Sequence, residues 1–178
     1  MHLDRFSNPE FDRGASFLVE ASWIFIMGIL FSTWLPGSSW RVVLLKLYGA
    51  KIGRGVVIKP HVKIKFPWKV RIGEHSWIGE SVWIDNVAKV SIGNNVCISQ
   101  GAYLCTGNHN WKSEEFELCA QAIDIEDKVW IGAFSKLAPG ITVCEGAVLG
   151  LGSVATSDLD SWTIYHGVPA LKLRERPQ

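Results

Sequence analysis

Net charge is almost absent from this chain: 18 Lys and Arg stand against 17 Asp and Glu in 178 residues, a formal +1. Nucleic-acid binding draws on a concentrated basic excess, so that balance gives it no support. Paired cysteines are absent too. Cys97, Cys105, Cys119 and Cys144 form no Cys-x-x-Cys pair, and four scattered Cys do not make a secreted disulfide framework, which points to a reducing compartment. The 17 Gly lack a three-residue period, which excludes collagen. Low hydrophobicity is missing as well: 48% hydrophobic residues and nine Trp exclude disorder. No secretory leader is expected, because the one long apolar run begins only after sixteen mixed residues and no small-residue cleavage site follows it. A cytoplasmic protein is the expectation.

The length suits one domain with a short appendage, and can bury a core without disulfides. The appendage is residues 1–50. Residues 17–35 (FLVEASWIFIMGILFSTWL) carry a single charge, Glu20. A bilayer span takes about 20 apolar residues, so the segment sits at the lower limit. Packing against protein, peripheral association with the inner face of the cytoplasmic membrane and a true span all remain open. Trp40, Val43, Leu44, Leu47 and Tyr48 then recur at helical spacing after Pro36–Gly37, with Ser38 or Ser39 to cap and Gly49 to stop. This helix is expected to cap the domain at 51–178.

From residue 52 the chain counts in sixes. Ile52, Ile58 and Ile64 are followed by Ile72, Ile78 and Ile84, then Ile92, Ile98 and Leu104. A final series runs Ile125, Ile131, Leu137, Val143, Leu149 and Ala155. Gly often comes next (53, 73, 79, 93, 132, 150), as a permissive turn residue. Four positions after each aliphatic stands a small or branched residue such as Val56, Ser76, Ala88 or Ser135. This is the hexapeptide signature of a parallel β-helix. Each hexad gives a strand and a turn, three hexads a triangular coil, and stacked coils bury an aliphatic column that none could bury alone. The fold class is mainly β: a left-handed parallel β-helix of about five coils, an exception to right-handed crossovers, with coils beginning at 52, 72, 92, 125 and 143. The step widens to eight after Ile64 and Ile84, and to twenty-one after Leu104. The last interval holds a protruding loop at about 107–122 (GNHNWKSEEFELCAQA), long enough to carry function.

The hexads together with TGNHN, VWIGAFSKLAPGITV and the terminal GVPA resemble the hexapeptide acetyltransferases of the galactoside and maltose type. LKLYGAKIG, the Pro67–Trp68 pair, ISQGAYLCTGNHN and Trp130–Gly132 are similar, more narrowly, to the colanic acid biosynthesis acetyltransferase group. The resemblance spans about residues 40–176. It implies a homotrimer with active sites between neighbouring β-helices, acetyl-CoA as acyl donor, a saccharide acceptor of exopolysaccharide biosynthesis, and a loop histidine as general base. No metal is implied.

The residues agree with that reading. His109 opens the loop, where it need not fill the core. Removing a proton from an alcohol as it attacks a thioester is worth about 10²–10⁴-fold, and imidazole suits the task. Asn110, Trp111 and Gln100 are candidates for holding the acceptor or the oxyanion. Galactoside-type members often carry Asn where this chain has Gly101. For the donor, the resemblance implies Trp130, Ala133, Leu151 and Thr156. Ser157 stands where a Lys is common, and Lys172, Arg174 and Arg176 in a basic C-terminal tail offer replacement cations. Two other classes share the fold. A zinc-dependent carbonic-anhydrase-like enzyme needs three imidazoles around its metal, and His109 has no second His in its loop. A non-catalytic scaffold of a polysaccharide assembly complex needs only the surface.

Overall fold

The computed structural model describes residues 2–8 and 11–178, with Arg5 described by its backbone alone. The hexads form the three walls of a prism. Strands Lys51–Ile52, Val70–Ile72, Val90–Ile92, Ile123–Ile125 and Thr142–Val143 stack in parallel as the first face. Val57–Ile58, Trp77–Ile78, Cys97–Ile98, Trp130–Ile131 and Val148–Leu149 make the second. Lys63–Ile64, Trp83–Asp85, Tyr103–Cys105, Lys136–Leu137 and Val154–Ala155 make the third. Register places each hexad aliphatic over the next, Ile58 on Ile78 on Ile98 on Ile131 on Leu149, and these side chains are buried. Each is worth about 1.5–3 kcal/mol of burial, which makes the column the main source of stability.

The helix runs past five coils. Leu159 bridges Val143 on the first face, and strand Thr163–His166 adds to the second with Tyr165 over Leu149. An incomplete sixth coil is thereby formed. Leu171–Glu175 then pairs antiparallel with Thr163–His166 and covers the end. The basic stretch expected as a tail is therefore a closing strand.

Two readings of the repeat need correction. The glycine after the aliphatic is needed for close approach between coils and not for a turn conformation. A Cβ on Gly73 would lie 2.5 Å from the backbone of Gly93, and one on Gly132 2.7 Å from Leu149 O. Left-handed backbone falls later in the corner, at His75, Asn95 and Lys128. Ala88 is half-buried, because the widened corner places Val90 inward in its stead. That corner is held by buried Asn86, whose Oδ1 accepts from Phe66 N (3.0 Å) and whose Nδ2 donates to Phe66 O (2.7 Å).

Helix α1 (Phe17–Ile26) continues into a π-helical turn, Met27–Phe31, and helix α2 (Ser39–Leu47) follows. No helix among the described residues is long and apolar enough to cross a membrane. Trp23 and Phe31 seal the first coil, Trp23 Nε1 donating to Ile64 O at 2.8 Å. Trp34, in the turn between the helices, is exposed. Arg41 is wholly buried and donates to the carbonyls of Phe31, Thr33, Leu35 and Gly37, tying the turn between the helices to α2. The inner face of α2 is Arg41 and Leu45, whereas Val43 and Leu47 of the expected packing stripe face outward. Ser38 precedes α2 but makes no cap. Its hydroxyl accepts from Ile58 N (2.7 Å) and fastens the helix to the first coil. Gly49 ends α2 with φ +85°.

Candidate active site

The loop leaves the third face after Cys105 and re-enters the first at Ile123. Its two ends share a rung: Thr106 N donates to Asp85 O, and Gln121 N to Thr106 O. Between them Gly107–His109 and Leu118–Ala120 form an antiparallel hairpin with His109 opposite Leu118.

His109 is half-buried and doubly anchored. Its Nδ1 lies 2.8 Å from Phe116 O, and its ring stacks on the Phe116 ring at 4.3 Å and 3°. A carbonyl oxygen can only accept, so Nδ1 carries the hydrogen, and in the neutral imidazole the lone pair is then on Nε2. Phe116 presents that carbonyl from a left-handed conformation, φ +50°, uncommon for a bulky residue and costing about 1–3 kcal/mol. The N-terminal segment reaches the same place. The ring of Phe6 lies 5.9 Å from that of His109, and Asn8 Oδ1 accepts from Leu118 N. Neither Phe116 nor Asn8 carries a local sequence signal for these roles.

Asn110 turns inward. Its Nδ2 donates to Glu117 Oε1 (2.7 Å) and its Oδ1 accepts from Lys112 N, so its amide is engaged in building the hairpin. Trp111 stands 72% exposed at the loop tip. Sequence reasoning also passed over a polar cluster at the root of the loop. Asp85 accepts from Tyr103 OH (3.0 Å) and pairs with Lys65 Nζ (3.2 Å). Burial, then hydrogen bonding with Cys105 and Asp85, pushes the Tyr103 hydroxyl well above its ordinary pKa and keeps it a neutral donor.

The remaining candidates lie elsewhere on the prism. Gln100 occupies the corner between the second and third faces of the third coil, above Ala133–Phe134 and Leu151 of the next two. Trp130 stands on the second face with Nε1 on Ser99 Oγ (3.0 Å), and Lys172 and Arg174 extend that face on the closing strand. Thr156 and Ser157 turn the corner between the third and first faces, below the loop's corner. Within one chain, Gln100, Trp130, Ala133 and Leu151 form one edge, while His109, Asn110 and Trp111 form another. The two sets do not meet. The Phe134 ring fills the space that a side chain at Gly101 would need, 2.6 Å from a Cβ there, which explains the glycine. Lys172 is paired with Glu175 at 2.6 Å. Arg176 donates to the carbonyls of Lys128 and Gly146 and so serves the fold. Among the described residues no three His, Cys, Asp or Glu side chains are grouped to hold a metal ion.

No protein-family model matches the chain. It is 38% identical over 176 residues to WcaF of Escherichia coli strain K12, named as a colanic acid biosynthesis acetyltransferase, covering 98% of this chain and 96% of that one. It is 30% identical to the galactoside O-acetyltransferase of the same organism, over 76% of this chain and 68% of the other. A hexapeptide-repeat-containing acetyltransferase of Vibrio cholerae, solved with acetyl coenzyme A, superposes with a TM-score of 0.83 at 26% identity, covering 98% and 97%. The left-handed winding matches these neighbours. Hexad register, the hairpin loop carrying its anchored histidine, and near-full-length identity thus converge, and the chain belongs to the hexapeptide-repeat acetyltransferases.

Proposed function

We propose that this protein moves an acetyl group from acetyl-CoA to a sugar hydroxyl in exopolysaccharide biosynthesis, with His109 as general base. The observation that carries the reading is the Nδ1 contact of His109 with Phe116 O, which makes Nε2 the basic nitrogen of the neutral ring. In the reaction the acceptor hydroxyl gives its proton to Nε2 as its oxygen attacks the thioester carbonyl. Backbone N–H groups of a coil corner would hold the oxyanion. The C–S bond then breaks, and the departing CoA thiolate takes the proton back from the imidazolium.

Separation of the two edges argues for a homotrimer. The donor edge (Trp130, Ala133, Leu151, with Lys172 and Arg174 for the CoA phosphates) can face His109 only across a subunit boundary. Gln100 would then come from the neighbour, Trp111 would offer a flat surface to the sugar, and Thr156 and Ser157 would serve a second neighbour's donor. The relative named for colanic acid biosynthesis supports an exopolysaccharide acceptor. Apolar residues within 17–35 support work in the cytoplasm at the inner face of the cytoplasmic membrane.

The test is a thermal melt with and without acetyl-CoA. Ligand at about 100 times its Kd should add about 2.7 kcal/mol per site, after which saccharides are screened by release of the CoA thiol. No shift at millimolar acetyl-CoA would favour the scaffold reading.

A further inference from the structure

Helix α1 is apolar on two opposite sides. Trp23, Met27 and Phe31 point into the first coil. On the other side Phe17, Leu18, Ile24, Phe25 and Ile29 follow helical spacing and are exposed, Phe25 by 65%. Leu30, in the π-helical turn after α1, lines one cleft with Val43 and Leu47 of α2 and so carries the apolar surface onto that helix, Leu47 being 77% exposed. Contiguous exposed apolar surface of this kind marks an interaction site.

Beside it lies a concentration of positive charge that the balanced total conceals. Residues 21–73 hold nine of the 18 Lys and Arg and none of the 17 Asp and Glu. Some of the nine are spoken for: Arg41 by carbonyls, Arg54 by Glu74 and Lys65 by Asp85. A cavity of about 150 Å³ is lined by Lys51, Trp68, Lys69, Val70, Arg71 and Lys89. Lys51 and Arg71 sit directly opposite each other on adjacent strands, an arrangement of like charges that destabilises a sheet. Among the described residues no carboxylate pairs with Lys51, Arg71 or Lys89. The cavity adjoins the apolar face. Lys51 follows the end of α2, and Trp68 packs on Gly49 and donates Nε1 to Arg13 O just before α1.

We propose that this cleft binds the phosphate of an anionic membrane lipid while the outer face of α1 and α2 enters the bilayer interface. The proposal rests on the membrane-surface part of the reading above and is independent of acetyl transfer. An apolar face combined with a basic patch is the pairing that peripheral anchoring requires. Cations of the cleft, at the N-terminal end of the first face, would hold headgroup phosphates at the depth set by Phe25 and Leu47, while the later strands of that face, carrying Ser91, Asp124 and Thr142, stay in water.

The experiment is flotation of the full chain with phosphatidylcholine vesicles, with and without about one third phosphatidylglycerol. The comparison is the double variant Lys51→Gln/Arg71→Gln, and inorganic diphosphate is titrated separately. Anionic vesicles should bind tens of times better than neutral ones. The double variant should lose about 25-fold, near fivefold per cation, and binding should weaken at high salt. Ile24→Ser/Phe25→Ser should abolish flotation without altering the oligomer mass by light scattering. Absence of binding to every vesicle removes the membrane reading itself. Binding with no preference for anionic lipid, or unchanged in the double variant, keeps the membrane reading and overturns the cleft. Diphosphate binding without vesicle binding assigns the cleft to a soluble phosphate, and a changed oligomer mass in the apolar variant assigns the face to a second copy. Both overturn the proposal.

Discussion

Replacing His109 with Ala separates catalysis from everything else the residue does. It lies outside the aliphatic column, so the substitution forfeits one hydrogen bond to Phe116 O, the stack on Phe116 and the ring contact with Phe6. These are worth about 0.5–1.5 kcal/mol each, and the loss is confined to a hairpin whose ends are fixed on the coil by Thr106 and Gln121. The melt should therefore move by a few degrees at most. The edge at Trp130, Ala133 and Leu151 proposed above for the donor is on another corner, so the acetyl-CoA shift should persist. Turnover, in contrast, should fall by about 10²–10⁴-fold, equivalent to about 3–5 kcal/mol of transition-state stabilisation. Release of CoA thiol with a saturating acceptor reads the effect. Phe116→Gly is the companion variant, since it keeps the carbonyl and tolerates φ +50° while removing only the stack. Its turnover should stay within about tenfold of the parent. His109→Ala turning over within tenfold of the parent would refute the general-base assignment.

Other outcomes follow from the fold. Ile131→Asp places an unpaired charge between Ile98 and Leu149 and should unfold or dissociate the protein, seen as loss of the cooperative melt; a folded, unchanged assembly would mean the register is wrong. Arg41→Met strands the carbonyls of Phe31, Leu35 and Gly37, Thr33 O keeping His61 N, and should destabilise by at least about 3 kcal/mol in urea unfolding. Asn86→Leu leaves Phe66 N without its acceptor and Phe66 O with Lys69 N alone, and should cost about 1–3 kcal/mol. Asp127 accepts from the backbone and then the side chain of Asn94, which holds its carboxyl below the ordinary range. The stabilisation is present above the unfolded pKa and fades as pH falls through the lower folded one, so Asp127→Asn should flatten the acid side of the stability profile.

The repeating part of the fold was legible because each hexad states its own burial pattern, and a repeat is read by counting. What counting could not supply was contact between repeats. The glycines at 73 and 132 are fixed by backbone in the next coil, which is invisible from their own hexad. The widened corner depends on Asn86 reaching Phe66, twenty residues back. In α2 the apolar stripe packs on the core through Trp40, Leu44 and Tyr48, but Val43 and Leu47 face outward, because buried Arg41 takes the inner face by spending its charge on carbonyls that no local pattern reveals. At the candidate site, His109 was singled out from its loop and motif. Phe116 and Asn8, which hold it, and the Asp85–Tyr103–Lys65 cluster below it were not, since each contact joins distant parts of the chain. Net charge misled in a related way: a total near zero hid a molecule polarised along its length.

The closure of the loop upon itself has an engineering meaning. Thr106 and Gln121 meet on one rung, so the solenoid passes beneath the excursion with its strand register intact from Leu104 to Ile123. Along the axis the coils are as tight as backbone permits, and a single added methyl group at Gly73 or Gly132 is too much. Sideways, at this corner, there is no such limit. The segment is thus a graft point: a hairpin of different length and composition can be exchanged there as a cassette while leaving the helix beneath it untouched.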